Sequence, residues 1–304
     1  MKVIITDKLA KEGVEKLKKA GFEVTEDFES KGTALAAKIK EYDALIVRSG
    51  TQVTAEIINA SNLKVIGRAG AGLDNIDVKA AEAKKIKVLN SPEGNTISAA
   101  EHTIAVMLAL CRNIPKAHQS LIERKWERDK FKGTEVFGKT LGIIGLGKIG
   151  QEVAKRMKAF EMKIIAFDPY AKPAVYKKVG AKKVNLETLL KESDFITVHV
   201  PKTPETTKLL NAQAFEKMKP GVRVINVARG GIIDEKALLD ALKSGKVAGA
   251  AIDVFEKEPP ENWDLIGLDN VVHTPHLGAS TVEAQNRCGI QIAEKVIAEL
   301  KRKK

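Results

Sequence analysis

The stretch Lys139-Thr140-Leu141-Gly142-Ile143-Ile144-Gly145-Leu146-Gly147-Lys148-Ile149-Gly150 restricts the fold of this chain more than any other. Residues 141–144 form a short apolar run, the pattern of a buried strand in a parallel sheet. Gly145-x-Gly147-x-x-Gly150 reads as the turn after it, and residues 151–160 as a helix with Val153, Ala154, Met157 and Phe160 on one face. Gly145 permits a tight turn, Gly147 lets backbone approach a pyrophosphate, and Gly150 lets helix and strand pack closely. The free N–H groups at the helix start favour phosphate oxygens. A second strand follows and ends at Asp168, about twenty residues past the glycines, where a carboxylate accepts hydrogen bonds from both adenosine-ribose hydroxyls and repels a 2′-phosphate. A glycine triplet alone would fit any strand-to-helix turn. With strand, helix, second strand and acid in register, the segment specifies a Rossmann unit that prefers NAD.

The rest of the 304 residues continues the alternation. Strand-like runs at 3–5, 23–25, 44–47, 63–66 and 87–89 are separated by helical patterns such as 12–20 and 35–39, which implies a parallel sheet covered on both faces. No dinucleotide-type glycine triplet follows its first strand. Ser91-Pro92-Glu93-Gly94-Asn95 punctuates the chain before a long apolar helix at 96–113. After the glycine motif come strands at 195–200, 223–227, 248–254 and 271–273, helices at 186–192, 212–218 and 235–242, the last after a plausible Asp234 cap, and a final helix at 281–301 that returns the chain to the first domain. The expected fold class is α/β with two doubly wound parallel-sheet domains and a cleft between them. A flavodoxin-like substrate domain, residues 1–92 and 281–304, receives a Rossmann NAD domain, residues 93–280, as an insertion.

Charge and composition remove several function classes. A formal charge of +12 could attract nucleic acid or anionic small molecules. The lysines alternate with glutamates along helix faces, as at Glu12, Glu15, Lys16, Lys18 and Lys19, and the dense basic run is confined to Lys301-Arg302-Lys303-Lys304. That is solvated surface, and no nucleic-acid partner is expected. The longest uncharged apolar run, near 104–111, falls far short of the roughly 20 residues of a membrane span, and the start reads at once as a strand rather than a signal segment. No membrane association is expected. Cys111 and Cys288, each in a helical pattern, suggest neither a disulfide framework nor a metal site, and a reducing cytoplasm fits. Abundant Lys and Glu with few Cys and Met resemble thermophile composition, which bears on stability alone.

Open parallel sheets present ligands at strand C-termini. In the first domain two such loops stand out: Arg48-Ser49-Gly50-Thr51, and Gly67-Arg68-Ala69-Gly70-Ala71-Gly72. The small residues from Ala69 expose N–H groups suited to a carboxylate, and Arg48 or Arg68 supplies charge. In the second domain three polar stretches end strands, around Arg229, Glu258 and His276. Hydride transfer to a carbonyl needs a proton donor with a pKa near 7, a cation to polarise the carbonyl, and a group that keeps the donor charged. His276, Arg229 and Glu258 fill those roles in that order, Glu258 being expected to stabilise the imidazolium. His102 and His118 read as packing or surface residues, and His199 as a strand-end neighbour of the nicotinamide rather than the acid. The charged segment 122–131 carries Trp126 and Phe131, which suit either a local satellite cluster or an anchor for a neighbouring subunit.

Together these motifs resemble the D-isomer-specific 2-hydroxyacid dehydrogenases from end to end. The resemblance rests on the glycine turn, on Asn226-Val227-Ala228-Arg229-Gly230-Gly231, on Asp253-Val254-Phe255 with Glu258-Pro259, and on Thr274-Pro275-His276-Leu277-Gly278. It implies that Arg229, Glu258 and His276 form the catalytic set, and that Lys148, Ile149, Asp168, Ala228 and Asp253 line NAD beside Gly145, Gly147 and Gly150. It also implies that Arg48, Ala69 and Gly70 hold a phosphorylated 2-hydroxy acid, that the protein is a homodimer or higher homo-oligomer in which Arg128 reaches the substrate phosphate of the partner subunit, and that the dimer is built largely on the 96–113 helix and the Trp126 segment. Members acting on glycerate, glyoxylate or D-lactate, and NADH-sensing corepressors, share the same core residues and stand as alternatives. Longer members carry C-terminal regulatory domains. This chain stops at Lys304, so regulation through such a domain is not expected.

Overall fold

Five strands build the first sheet: β1 (Lys2–Ile5), β2 (Glu23–Glu26), β3 (Ala44–Val47), β4 (Val65–Arg68) and β5 (Lys87–Asn90). They are all parallel, in the order β2-β1-β3-β4-β5, which is the flavodoxin-like arrangement. The computed structural model describes residues 1–302 and divides into two units, Met1–Thr96 with Ala279–Lys304, and Ile97–Gly278. Lys303 and Lys304, the end of the basic run, lie outside the described residues.

The apolar runs explain the first sheet. Every residue of β3 is buried, and alternate side chains enter cores on opposite faces. Leu45 and Val47 join Ile57, Ile58 and Ile66 on one side, while Ile46 joins Val3, Ile5 and Leu17 on the other. Each such enclosed side chain contributes about 1.5–3 kcal/mol. The second face is closed by the helix Val282–Lys301, through Ile292 and Val296. A Cβ at Gly67 of β4 would lie 2.9 Å from both of those side chains, so the glycine sets how closely that helix seats. The distant C-terminal segment is therefore part of the first core.

The second sheet has seven parallel strands: β6 (Thr140–Ile144), β7 (Lys163–Phe167), β8 (Lys182–Lys183), β9 (Phe195–Val198), β10 (Val222–Asn226), β11 (Val247–Ile252) and β12 (Val271–His273). Their order, β12-β11-β10-β9-β6-β7-β8, is doubly wound. The order in which strands are added reverses between β6 and β9, and such switch points receive the ligand at the strand C-termini. Among the described residues no helix is long and apolar enough to cross a membrane.

Local departures from the sequence expectation have local causes. The glycine-turn helix begins at Lys148 rather than 151, because Gly147 in extended conformation is its cap and Gly150 already lies inside it. The 96–113 helix ends at Cys111, and Asn113 at φ 52° starts a second helix, Ile114–Ile122. β8 consists of two exposed lysines on the sheet edge and carries no apolar signal. The helix Glu235–Lys243 has the expected cap, Asp234 accepting from Lys236 and Ala237 N–H groups at 3.1 Å.

Candidate active site

The glycine turn sits at the C-terminal end of β6, on the switch point. Gly145 has φ 92°, and a Cβ there would lie 2.6 Å from the His199 carbonyl oxygen, so neither conformation nor space admits a side chain. A Cβ at Gly150 would lie 2.2 Å from the Gly145 carbonyl oxygen, which is the close contact of helix with turn. At Gly147 an added Cβ would meet nothing within 4 Å. That open space, at the first turn of the helix Lys148–Ala159, fits a pyrophosphate held by backbone N–H groups. Lys148 and Ile149 open the same helix.

Asp168 follows β7 directly. Its Oδ2 accepts the Leu146 N–H of the glycine turn at 2.8 Å, and its Oδ1 accepts the N–H groups of Tyr170 at 2.8 Å and Ala171 at 3.1 Å. The acid is thus tied to the turn it serves. Tyr176 fixes its backbone, donating to the Asp168 carbonyl at 2.9 Å and accepting from its N–H at 3.0 Å. Burial pushes the Tyr176 phenol above its ordinary pKa, so it stays protonated as a donor.

At the other half of the same sheet edge, β10, β11 and β12 deliver the remaining candidates. Buried Asn226 staples the loop after β10, accepting from the Ala228 N–H at 3.0 Å and donating to the Arg229 carbonyl at 2.9 Å. Gly230 lies against the Phe255 carbonyl so closely that no Cβ could be accommodated. Arg229 is half-buried and donates through Nη1 to the Ala228 carbonyl at 2.7 Å.

His276 and Glu258 meet directly, with Nδ1 and Oε2 2.7 Å apart and both side chains partly exposed. This leaves Nε2 of the imidazole as the nitrogen turned away from the acid. The other Glu258 oxygen, Oε1, accepts the Phe255 N–H at 3.2 Å. Burial works to raise the Glu258 pKa, but the His276 hydrogen bond and charge, with the Phe255 N–H, outweigh it and hold the carboxyl below its usual range. Beside the pair lies a cavity of about 420 Å³, lined by Phe255, Pro260, Trp263, Ile266 and Pro275 among others.

Asp253 organises the loop that carries His276. It is fully buried; Oδ1 accepts the Thr274 hydroxyl at 2.5 Å and the Leu277 N–H at 2.7 Å, and Oδ2 accepts the Gly278 N–H at 2.8 Å. Its carbonyl accepts the His276 N–H at 2.8 Å. His276 itself sits at φ 54°, a left-handed conformation that a non-glycine residue keeps only when its surroundings enforce it.

In the first unit the loop after β3 is held by Asp7 and Asn75, neither of which carries a motif signal of its own. Asp7 Oδ2 accepts the N–H groups of Arg48 at 2.7 Å and Thr51 at 3.1 Å, while Oδ1 accepts the Thr51 hydroxyl at 2.9 Å and Lys31 Nζ at 3.0 Å. Asn75 Nδ2 donates to the carbonyls of Arg48 at 2.8 Å and Thr51 at 2.7 Å. Ala69 and Gly70 follow β4, and the Gly70 carbonyl accepts the Ser91 N–H at 2.9 Å. A Cβ on Gly70 would overlap the Arg68 guanidinium, which lies across the loop backbone. Arg128, by contrast, is exposed on the 3-10 turn Arg128–Phe131 rather than at a strand end.

A doubly wound sheet with a glycine turn and a carboxylate at its switch point, joined in one chain to a flavodoxin-like unit, defines a two-unit dinucleotide-binding α/β protein. Residues 104–278 match the family described as D-isomer specific 2-hydroxyacid dehydrogenase, NAD binding domain, and the chain belongs to that family. D-3-phosphoglycerate dehydrogenase of Archaeoglobus fulgidus is 52% identical over 299 residues, 98% of this chain and 57% of that protein. The Homo sapiens protein of the same name is 50% identical over 303 residues, 99% of this chain and 57% of the other. The chain thus spans a little over half the length of these curated relatives. Among solved structures, a glyoxylate reductase from Paecilomyes thermophila matches with TM-score 0.90 at 29% identity, over 99% of this chain and 96% of that one. Apo D-lactate dehydrogenase from Escherichia coli matches with TM-score 0.87 at 30% identity, over 99% and 97%.

Proposed function

We propose that this protein oxidises D-3-phosphoglycerate to 3-phosphohydroxypyruvate with NAD, a reaction of serine biosynthesis, in the cytoplasm. The observation that carries the reading is the 2.7 Å contact of His276 Nδ1 with Glu258 on the dinucleotide-binding sheet. The names of relatives at about 50% identity support the choice of acid. Residues 93–280 bind the dinucleotide, and residues 1–92 with 281–304 bind substrate.

Bound NAD supplies the hydride acceptor. Asp168 holds the adenosine ribose, and Gly145, Gly147, Lys148, Ile149 and Gly150 present the backbone that receives the pyrophosphate. Ala228 lines the rest of the cofactor path, whereas Asp253, expected from the sequence as a cofactor contact, is wholly enclosed and acts instead by holding the 274–278 loop through the Leu277 and Gly278 N–H groups. His276 removes the substrate hydroxyl proton through Nε2, since Nδ1 is engaged by Glu258. Glu258, whose carboxyl is held ionised, orients the ring and compensates the charge it gains. Arg229 binds the substrate carboxylate and the oxygen on which charge develops. Arg48 and the loop at Ala69 and Gly70 hold the acid, the loop by its close-fitting backbone rather than by the Ala69 and Gly70 N–H groups, which donate to the Val47 and Arg68 carbonyls at 2.8 and 2.9 Å, and Arg128 of the partner subunit reaches the phosphate in a homodimer. Sedimentation as a monomer would remove that last contact.

The test is a comparison of kcat/KM with NADH on 3-phosphohydroxypyruvate, hydroxypyruvate, glyoxylate and pyruvate. Charge-assisted contacts to the phosphate, worth about 1.5–3 kcal/mol, give a preference of about tenfold to a hundredfold for the phosphorylated acid. Equal rates on the smaller acids would assign the protein to the glycerate, glyoxylate or D-lactate type. NADH binding without turnover on any of them would favour a corepressor-like role.

A further inference from the structure

His102 belongs to the helix Thr96–Cys111, and in sequence it reads as a packing residue. In the structure its Nε2 lies 3.0 Å from Thr274 Oγ1 and 3.3 Å from Asp253 Oδ1. We infer that His102 is a positioning residue for the proposed reaction, acting through Asp253 and Thr274 on the loop that carries His276.

The proton inventory fixes the direction of these contacts. The Thr274 hydroxyl has one hydrogen, and it is directed to Asp253 Oδ1 at 2.5 Å. Burial alone would raise the Asp253 pKa, but the hydrogen bonds from His102, Thr274, Leu277 and Gly278 prevail and keep it below its ordinary value. Neither neighbour of His102 Nε2 therefore has a hydrogen to offer it. Nε2 carries the hydrogen and donates to the Thr274 oxygen and the carboxylate. The carboxylate is buried without solvent access, so each donor facing it counts.

The acid in turn shapes the 274–278 loop. Its oxygens bind the Leu277 and Gly278 N–H groups, and its carbonyl binds the N–H of His276, whose left-handed backbone depends on such anchoring. A shift of the acid would redirect the His276 imidazole relative to Glu258. His102 thus supports the reacting geometry from a helix 151 residues away from Asp253 in sequence, without touching the reacting atoms.

The inference rests on the proposed role of His276 and is tested with two replacements in the full chain. His102→Leu removes the donor, whereas His102→Gln places an amide N–H near the position of Nε2. His102→Leu is expected to lower kcat about tenfold to a hundredfold with KM for the hydroxy acid little changed, since small misplacements of reacting groups have effects of that order. His102→Gln is expected to restore kcat to within about threefold of the parent. Parent-like turnover in the Leu variant, or equal loss in both variants, overturns the inference. A measurement that needs no variant is ¹⁵N NMR of the histidine rings. A protonated Nε2 on His102 at neutral pH is expected, and a bare Nε2 overturns the inference even if the Leu variant fails to fold. Turnover that survives His276→Asn would sink the proton-transfer reading instead, and the ring NMR separates the two failures.

Discussion

Replacing Asp253 by Asn removes one negative charge and exchanges an acceptor for a donor inside a fully enclosed site. If the amide nitrogen takes the Oδ2 position, it confronts the Gly278 N–H at about the original 2.8 Å; if it takes the Oδ1 position, it confronts the Leu277 N–H at 2.7 Å. The Thr274 hydroxyl can rotate to accept, but a backbone N–H cannot. One donor of the loop is therefore left without an acceptor in either orientation. A hydrogen bond to a charged group contributes about 1.5–3 kcal/mol and a stranded buried N–H costs about 1–3 kcal/mol; the two overlap, which gives a loss of about 3 kcal/mol. At about 2–4 °C per kcal/mol for domains of this size, the melting temperature should fall by about 6–12 °C at neutral pH. The pH dependence has a definite sign. The folded carboxyl titrates below its ordinary value of 3.8, so its contribution is present above pH 3.8 and is lost as pH falls through the folded pKa. Parallel circular-dichroism melts should show the two proteins converging in acid. A difference under about 2 °C at neutral pH would refute the account of Asp253 as the anchor of the loop.

Burial holds the His199 pKa down to about 4. The unfolded ring takes up its proton near 6.5 and the folded ring near 4, so stability should decline as pH falls across that window, by at most about 3 kcal/mol because part of the residue still reaches solvent. Urea titrations from pH 7 to 4 should give a shallower decline in His199→Gln, and identical slopes would contradict the assignment. Gly150→Ala would set a Cβ 2.2 Å from the Gly145 carbonyl oxygen, forcing helix and turn apart at about 1–3 kcal/mol. NADH affinity measured by fluorescence should fall with stability, and a parent-like titration would count against the turn as the pyrophosphate site. Asp7→Ala removes the acceptor shared by the Arg48 and Thr51 N–H groups and by Lys31. KM for the phosphorylated acid should rise on the order of tenfold while NADH affinity holds, and the reverse pattern would separate Arg48 from substrate binding.

The two sheets were legible because their central strands are continuous apolar runs, as in Ala44-Leu45-Ile46-Val47 and Leu141-Gly142-Ile143-Ile144, and such runs record burial on both faces. The edge strand β8 left no trace, since two exposed lysines need no apolar signal to pair with β7. At the candidate site, Gly145, Gly150 and Asp168 could be read from spacing because their roles are local to one strand–helix–strand unit. The supporting residues could not. Asp7 meets Arg48 across 41 positions, and His102 meets Thr274 across 172, so only the folded sheets reveal those contacts. Helical periodicity reports which face of His102's helix is buried, not which acid lies against it. Tyr176 and Asn226 carried weaker signals: each is a polar residue close in sequence to a motif residue, with its side chain buried and hydrogen-bonded to that residue's backbone.

In the proposed reaction His276, paired with Glu258, moves the proton that accompanies hydride transfer. The most direct test of that step is turnover of 3-phosphohydroxypyruvate by His276→Asn, read beside NADH affinity. Asn tolerates the left-handed backbone at φ 54° better than Ala, so the variant isolates the imidazole from strain. Without the imidazole, kcat should fall about a hundredfold or more with NADH affinity intact. Parent-like turnover in a protein that still binds NADH would contradict it.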